Sequence, residues 1–215
     1  MNSRYFTLLI SLALTAGIHA QRSKYAASPW KTGLSISPDI CYLTKIKYKH
    51  VPTVPKFGYH TGISVMYKTD GKLTYEGGLG FSSMGWRTTF GPAENNHPGQ
   101  MRIIWIYRYA ELPLRVNYIT GKNNLQFIVS ASVIPAMSIG GGRIYDFTEV
   151  PDERDTGYDI GGFQLFAALG AGCCYQFNNT LSLRITPEFK IDLLKQYGNS
   201  HLWSAGLNTT LFYSL

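Results

Sequence analysis

Between residues 162 and 192 the chain alternates apolar and polar positions almost without a slip, out and back around Asn178-Asn179-Thr180. In residues 181–192, Leu181, Leu183, Ile185, Pro187, Phe189 and Ile191 share one face. Ser182, Arg184, Thr186, Glu188, Lys190 and Asp192 share the other. In the preceding stretch Phe163, Leu165, Ala167, Leu169, Ala171, Cys173, Tyr175 and Phe177 lie opposite Gly162, Gln164, Phe166, Ala168, Gly170, Gly172, Cys174 and Gln176. A strand puts successive side chains on opposite faces, so one face of this hairpin meets something apolar and the other something polar. The second face of the earlier strand is small as well as mostly polar. A solvated surface has no reason to be small, whereas the inside of a narrow barrel does. The hairpin therefore predicts a barrel that is apolar outside and polar within.

Six further segments carry an apolar face: residues 32–42, 57–67, 72–84, 101–118, 124–139 and 201–213. The connections alternate in length, with a medium last one at 193–200. Residues 43–56, 85–100 and 140–158 are long, and the turns at 68–71, 119–123 and 178–180 are short, with Asp70-Gly71 a strong hairpin signal. Long loops on one side and tight turns on the other are the habit of outer-membrane barrels. The pattern predicts an all-β fold, an eight-stranded antiparallel up-and-down transmembrane β-barrel with a polar, side-chain-filled lumen. The upper half of 101–118 alternates less cleanly and sets Arg108 on the lipid side. Arg108 is expected near the outer edge of the ~25 Å apolar band, where a long side chain reaches the headgroups.

The first residues read as a processing signal. Arg4 precedes an apolar run at 6–16, and Ile18-His19-Ala20 ends it with a small residue. The expected organisation is a signal peptide at 1–20, a short periplasmic lead at 21–30 and the barrel at 31–215. Residue 21 is Gln and not Cys, so a lipid anchor is not expected. After residue 20 no apolar run approaches the ~20 residues of a membrane helix, so any crossing is made by strands. Composition agrees: 14% of the residues are aromatic and only 15% charged, with 22 Gly and 15 Tyr. A soluble periplasmic carrier of the lipocalin kind would also alternate, but would bear its apolar positions inside. Here the polar faces of the second, fifth, sixth and eighth strands are Ser, Gly, Ala, Thr and amide, which favours the membrane.

With these residues placed, the chain resembles the PorT-like outer-membrane β-barrel domain of Gram-negative bacteria. The likeness is carried by Tyr109-Ala110-Glu111-Leu112-Pro113-Leu114, by Gly170-Ala171-Gly172 ahead of a short turn, and by the closing Leu211-Phe212-Tyr213. It covers most of the chain after residue 20. It implies a small eight-stranded barrel in the outer membrane; some relatives are implicated in secretion and gliding machinery. The chain ends in Leu215 where outer-membrane barrels commonly end in an aromatic residue.

The inward-facing charges are expected to be Asp39, Glu76, Glu111, Arg115, Arg184, Glu188, Lys190 and Asp192. Their mixed signs fit a salt-bridge network, because unpaired charges in a narrow lumen are costly. Eight strands leave room for side chains and not for an open pore. His60 falls on the inner face. His50, His97 and His201 lie near the outer mouth without ligand spacing, so neither metal nor cofactor is expected. Cys173 and Cys174 face opposite ways and Cys41 lies across the barrel, so no disulfide is expected.

The first long loop is basic, with Lys45, Lys47, Lys49, His50 and Lys56. The third carries Asp146, Glu149, Asp152, Glu153 and Asp155 against Arg143 and Arg154. They read either as a charged lid across the mouth or as two solvated loops. In a further reading Lys45, Lys47, Lys49 and Lys56 hold lipopolysaccharide phosphates. The formal charge of +7 comes with no nucleic-acid motif. The sequence thus points to a monomeric barrel in the outer membrane that contacts lipid, and an envelope protein partner is compatible with it. Its expected role is non-catalytic: binding, adhesion or envelope assembly, with a link to secretion in view. Outer-membrane hydrolase or acyltransferase chemistry at the mouth is the enzymatic alternative.

Overall fold

Eight runs of alternating residues close into a ring because each buries one face and leaves no hydrogen-bonding edge over. A computed structural model describes residues 28–44, 53–69, 71–90, 101–121, 124–147, 162–194 and 200–215, and the backbone of 153–155. The strands are β1 (Trp30–Thr44), β2 (Thr53–Lys68), β3 (Leu73–Phe90), β4 (Met101–Glu111), β5 (Leu114–Thr120), β6 (Leu125–Phe147), β7 (Glu153–Asp155), β8 (Phe163–Gln176), β9 (Leu181–Asp192) and β10 (His201–Ser214). β4 and β5 are the upper and lower halves of one stave. The ring runs β1, β2, β3, β4 with β5, β6, β8, β9, β10 and back to β1, every pairing antiparallel.

The wall is apolar outside. Leu34, Phe57, Leu79, Phe127 and Leu169 are each more than 60% exposed. On β9, Arg184 is buried, while Leu183 and Ile185 lie on the outer face with the exposed Phe189. So much contiguous apolar surface belongs in hydrocarbon and not in water. The soluble-carrier alternative fails on this point. Aromatic pairs mark the two ends of the band, where amphipathic rings favour the membrane–water interface. Trp30 with Tyr67 (4.8 Å between centroids) and Tyr175 with Phe177 (5.0 Å) lie at the short-turn end. Tyr42 with Trp203 (5.3 Å) and Tyr59 with Phe81 (6.0 Å) lie at the long-loop end.

Two strands depart from the sequence reading. The fourth, expected as one run over 101–118, breaks at Leu112-Pro113 and resumes to Thr120. Pro113 has no N–H to give the ladder. Its carbonyl still accepts from Gly78 N (3.1 Å), and Leu112 N donates to the Pro135 carbonyl (2.9 Å), so the ring stays closed. The fifth, expected to end at residue 139, runs on to Phe147. The cause is a bulge: Tyr109 pairs with Ser138 and Arg108 with Gly140, which leaves Ile139 over. Gly140 takes a φ of 147°, a conformation that suits glycine. The extra residue reverses the alternation, so odd residues turn inward beyond it and the periodicity breaks there. Glu153–Asp155 then pairs with Arg143–Tyr145, so part of the expected loop 140–158 is an arm of sheet.

Because the strands tilt, a line of hydrogen-bonded partners climbs as it circles the barrel. From Ala131 it passes Leu169, Phe189, Ala205, Ile40 and Phe57, and it returns to β6 well above its start, near Gly141. The side formed by β3, β4, β6 and β7 therefore stands taller than the side formed by β8, β9 and β10.

Candidate functional site

The inward residues form two layers. The lower and middle bore is polar and the outer bore aromatic. All eight charges named from the sequence project into the bore, and six of them join across it. β9 supplies three, two and four residues apart, which alternation puts on one face. Arg184 grips Glu76 of β3 through both terminal nitrogens, at 2.5 and 3.1 Å. Glu188 accepts from Arg115 of β5 at 2.5 Å. Lys190 donates to Glu111 of β4 at 3.0 Å. β9 lies opposite β3 in the ring, so these pairs cross the bore like spokes.

Other groups brace two of the three spokes. Glu111 also accepts from Ser82 Oγ (2.5 Å) and bonds His60 Nδ1 (2.9 Å). Glu76 accepts from Asn117 (3.3 Å), and Arg184 donates to Thr210 (3.1 Å) and lies 4.9 Å above the Phe212 ring. Such buried pairs resist dismantling because each partner removed leaves a buried charge. Asp39 accepts from Ser37 at 2.6 Å, and no ion pair joins it among the described residues. Asp192 stands apart near the mouth: its carboxylate accepts from Leu194 N at 2.9 Å. A cavity of about 30 Å3 remains between Asp39, His60, Glu76, Arg115, Glu188 and Lys190, large enough to admit water.

The outer bore holds a ladder of rings that the sequence reading left unassigned. Trp105, Trp86, Tyr107, Tyr109 and Phe166 follow one another at centroid spacings of 5.5, 5.0, 6.4 and 5.6 Å. Arg143 lies 4.1 Å over Trp105 and Lys190 lies 5.1 Å over Phe166, which ties the ladder to the charges below. Met84, Leu43 and Leu202 pack around it. The signal was present: residues 103, 105, 107 and 109 continue the inward phase of Glu111. It was hidden because the usual polarity is inverted at this height: the inner face of β4 carries Ile103, Trp105, Tyr107 and Tyr109, and the outer face carries Arg102 and Arg108.

At the mouth, His201 Nδ1 bonds the backbone carbonyl of Asp192 at 2.8 Å and not its carboxylate. Lys56 Nζ donates to the carbonyl of Phe57 at 3.0 Å, and Arg102 pairs with Asp146 at 3.4 Å. Lys45, Lys47, Lys49, His50, His97, Glu149 and Asp152 lie outside the described residues, as do the side chains of Glu153, Arg154 and Asp155. Of the expected lid only the side chains of Lys56, Arg143 and Asp146 are described, and the signal at 1–20 lies outside the described residues. Cys41, Cys173 and Cys174 are free thiols.

Comparison with solved structures returns the same architecture. Neisserial surface protein A is 9% identical with a TM-score of 0.50, over 89% of this chain and 100% of that one. The outer membrane protease OmpT from Escherichia coli is 8% identical with a TM-score of 0.45, over 90% and 99%. The attachment invasion locus protein Ail of Yersinia pestis is 12% identical with a TM-score of 0.40, over 87% and 99%. At 9% identity the first match is a likeness of fold, and the two lower scores add no weight. The fold is that of the eight-stranded outer-membrane barrels. No family model and no curated protein sequence matches the chain, so the PorT-like resemblance rests on its three short motifs.

Proposed function

We propose that this chain is an integral outer-membrane protein that serves as a monomeric, non-catalytic binding, adhesion or envelope-assembly component. In this reading residues 1–20 direct export and are removed after Ala20. One observation carries it: the bore is filled by ion pairs and rings, while the β3, β4, β6 and β7 side rises past the outer aromatic belt. Filled bores do not conduct, so the surface available for work is the raised sheet and the mouth around it. A secretion-associated role follows from the PorT-like motifs and ranks below binding.

The test is fractionation followed by gel mobility with and without boiling, with an epitope inserted at 148–152 and probed on intact cells. An outer-membrane band that shifts on boiling, together with surface staining, is the expected result. Recovery in the soluble periplasmic fraction, or staining that needs broken cells, would defeat the proposal.

A further inference from the structure

Arg108 of β4 stands on the outer face of the wall, exposed, between Ile106 and Ala110. A guanidinium facing hydrocarbon costs about 2–4 kcal/mol at the midplane and little near the interface. The register puts Arg108 near the interface. The line from Tyr59 through Ser83 to Arg108 climbs around the barrel, which lifts Arg108 just above the Tyr59–Phe81 pair of the outer belt. That is the level of lipid phosphates.

The wall around it is hollowed. Its cross-strand neighbours are Ser83 and Gly140, and Gly85 and Gly142 flank Ile106 one step higher. The hollow is built in: a side chain at Gly140 is strained by its φ of 147°, and a Cβ on Gly85 would strike the Trp105 carbonyl. Phe81 and Ile139 rim it. Among the described residues no carboxylate pairs with Arg108; Asp146, higher on the same face, is taken by Arg102.

We propose that this notch binds the phosphate of an outer-leaflet lipid headgroup. The Arg108 fork meets the phosphate oxygens, the geometry that suits guanidinium. The acyl chains run down the apolar wall past Phe81, Ala110 and Met137. The inference rests on the outer-membrane reading, and it moves the lipid contact from the loop lysines to the wall.

The test is native mass spectrometry of the detergent-purified barrel titrated with lipid A, with its phosphate-free form and with inorganic phosphate. The wild type is expected to hold lipid A roughly tenfold more tightly than the phosphate-free form, the scale of one charge-assisted contact. R108Q should erase that preference, R102Q should keep it, and inorganic phosphate should not displace lipid A. Gel mobility before and after boiling reports on the barrel itself, so loss of the membrane reading is seen separately. If R108Q does not fold, the wild-type comparison and R108K decide. Equal binding of both lipids by the wild type, an unchanged preference in folded R108Q, or displacement by inorganic phosphate would each overturn the proposal.

Discussion

Replacing Glu111 with Leu tests whether the spokes hold the barrel together. The carboxylate is fully buried and meets Ser82, His60 and Lys190 at 2.5, 2.9 and 3.0 Å. Removing it strands the Lys190 ammonium, whose side chain is 5% exposed, in the bore without its ion-pair partner. Breaking a buried pair from one side costs about 3–5 kcal/mol. The reverse change, K190M, is milder: Glu111 keeps its bonds to Ser82 and His60. The expected cost is about 1.5–3 kcal/mol, the range for a hydrogen bond to a charged group. The double variant E111L/K190M buries no charge from this pair. It should therefore be more stable than E111L alone by about 1–3 kcal/mol, and the double-mutant cycle reads a coupling equal to that gain plus the K190M loss. The measurement is urea unfolding in lipid vesicles followed by tryptophan fluorescence, since Trp86 belongs to the buried ladder just above the pair. If the double variant falls at the sum of the two single losses, the pair is not coupled and the spoke picture is wrong.

Two further outcomes follow from the same geometry. Leu169, 65% exposed at the middle of β8, faces the bilayer core, so L169R should lose about 2–4 kcal/mol in vesicles and raise the unfolded band on unboiled gels; an unchanged band would place Leu169 elsewhere. A Cβ on Gly80 would lie 2.6 Å from His60 Cε1. G80A should therefore turn the imidazole off Glu111 and cost about 1–3 kcal/mol, as overpacking does, and H60A/G80A should recover part of the loss in the same urea assay.

The alternation was enough to determine a transmembrane barrel. Leu183, Ile185 and Phe189 against Arg184, Glu188 and Lys190 already decide which face meets lipid, because a period of two admits one arrangement when one face is greasy and the other charged. Long and short connections likewise set which end carries the loops. The partners inside the bore were not legible there. That Arg184 meets Glu76 and Lys190 meets Glu111 depends on the stagger between β9 and the β3–β5 wall, a property of ring closure that no single strand records. The rise of the wall past residue 139 was hidden for a related reason. One extra residue at Ile139 reverses the alternation, and its cause lies in the pairing of Arg108 with Gly140 across the sheet. The aromatic ladder was out of reach because upper β4 inverts the usual polarity, with Arg102 and Arg108 outside and the rings inside, and only closure of the barrel shows which face looks inward.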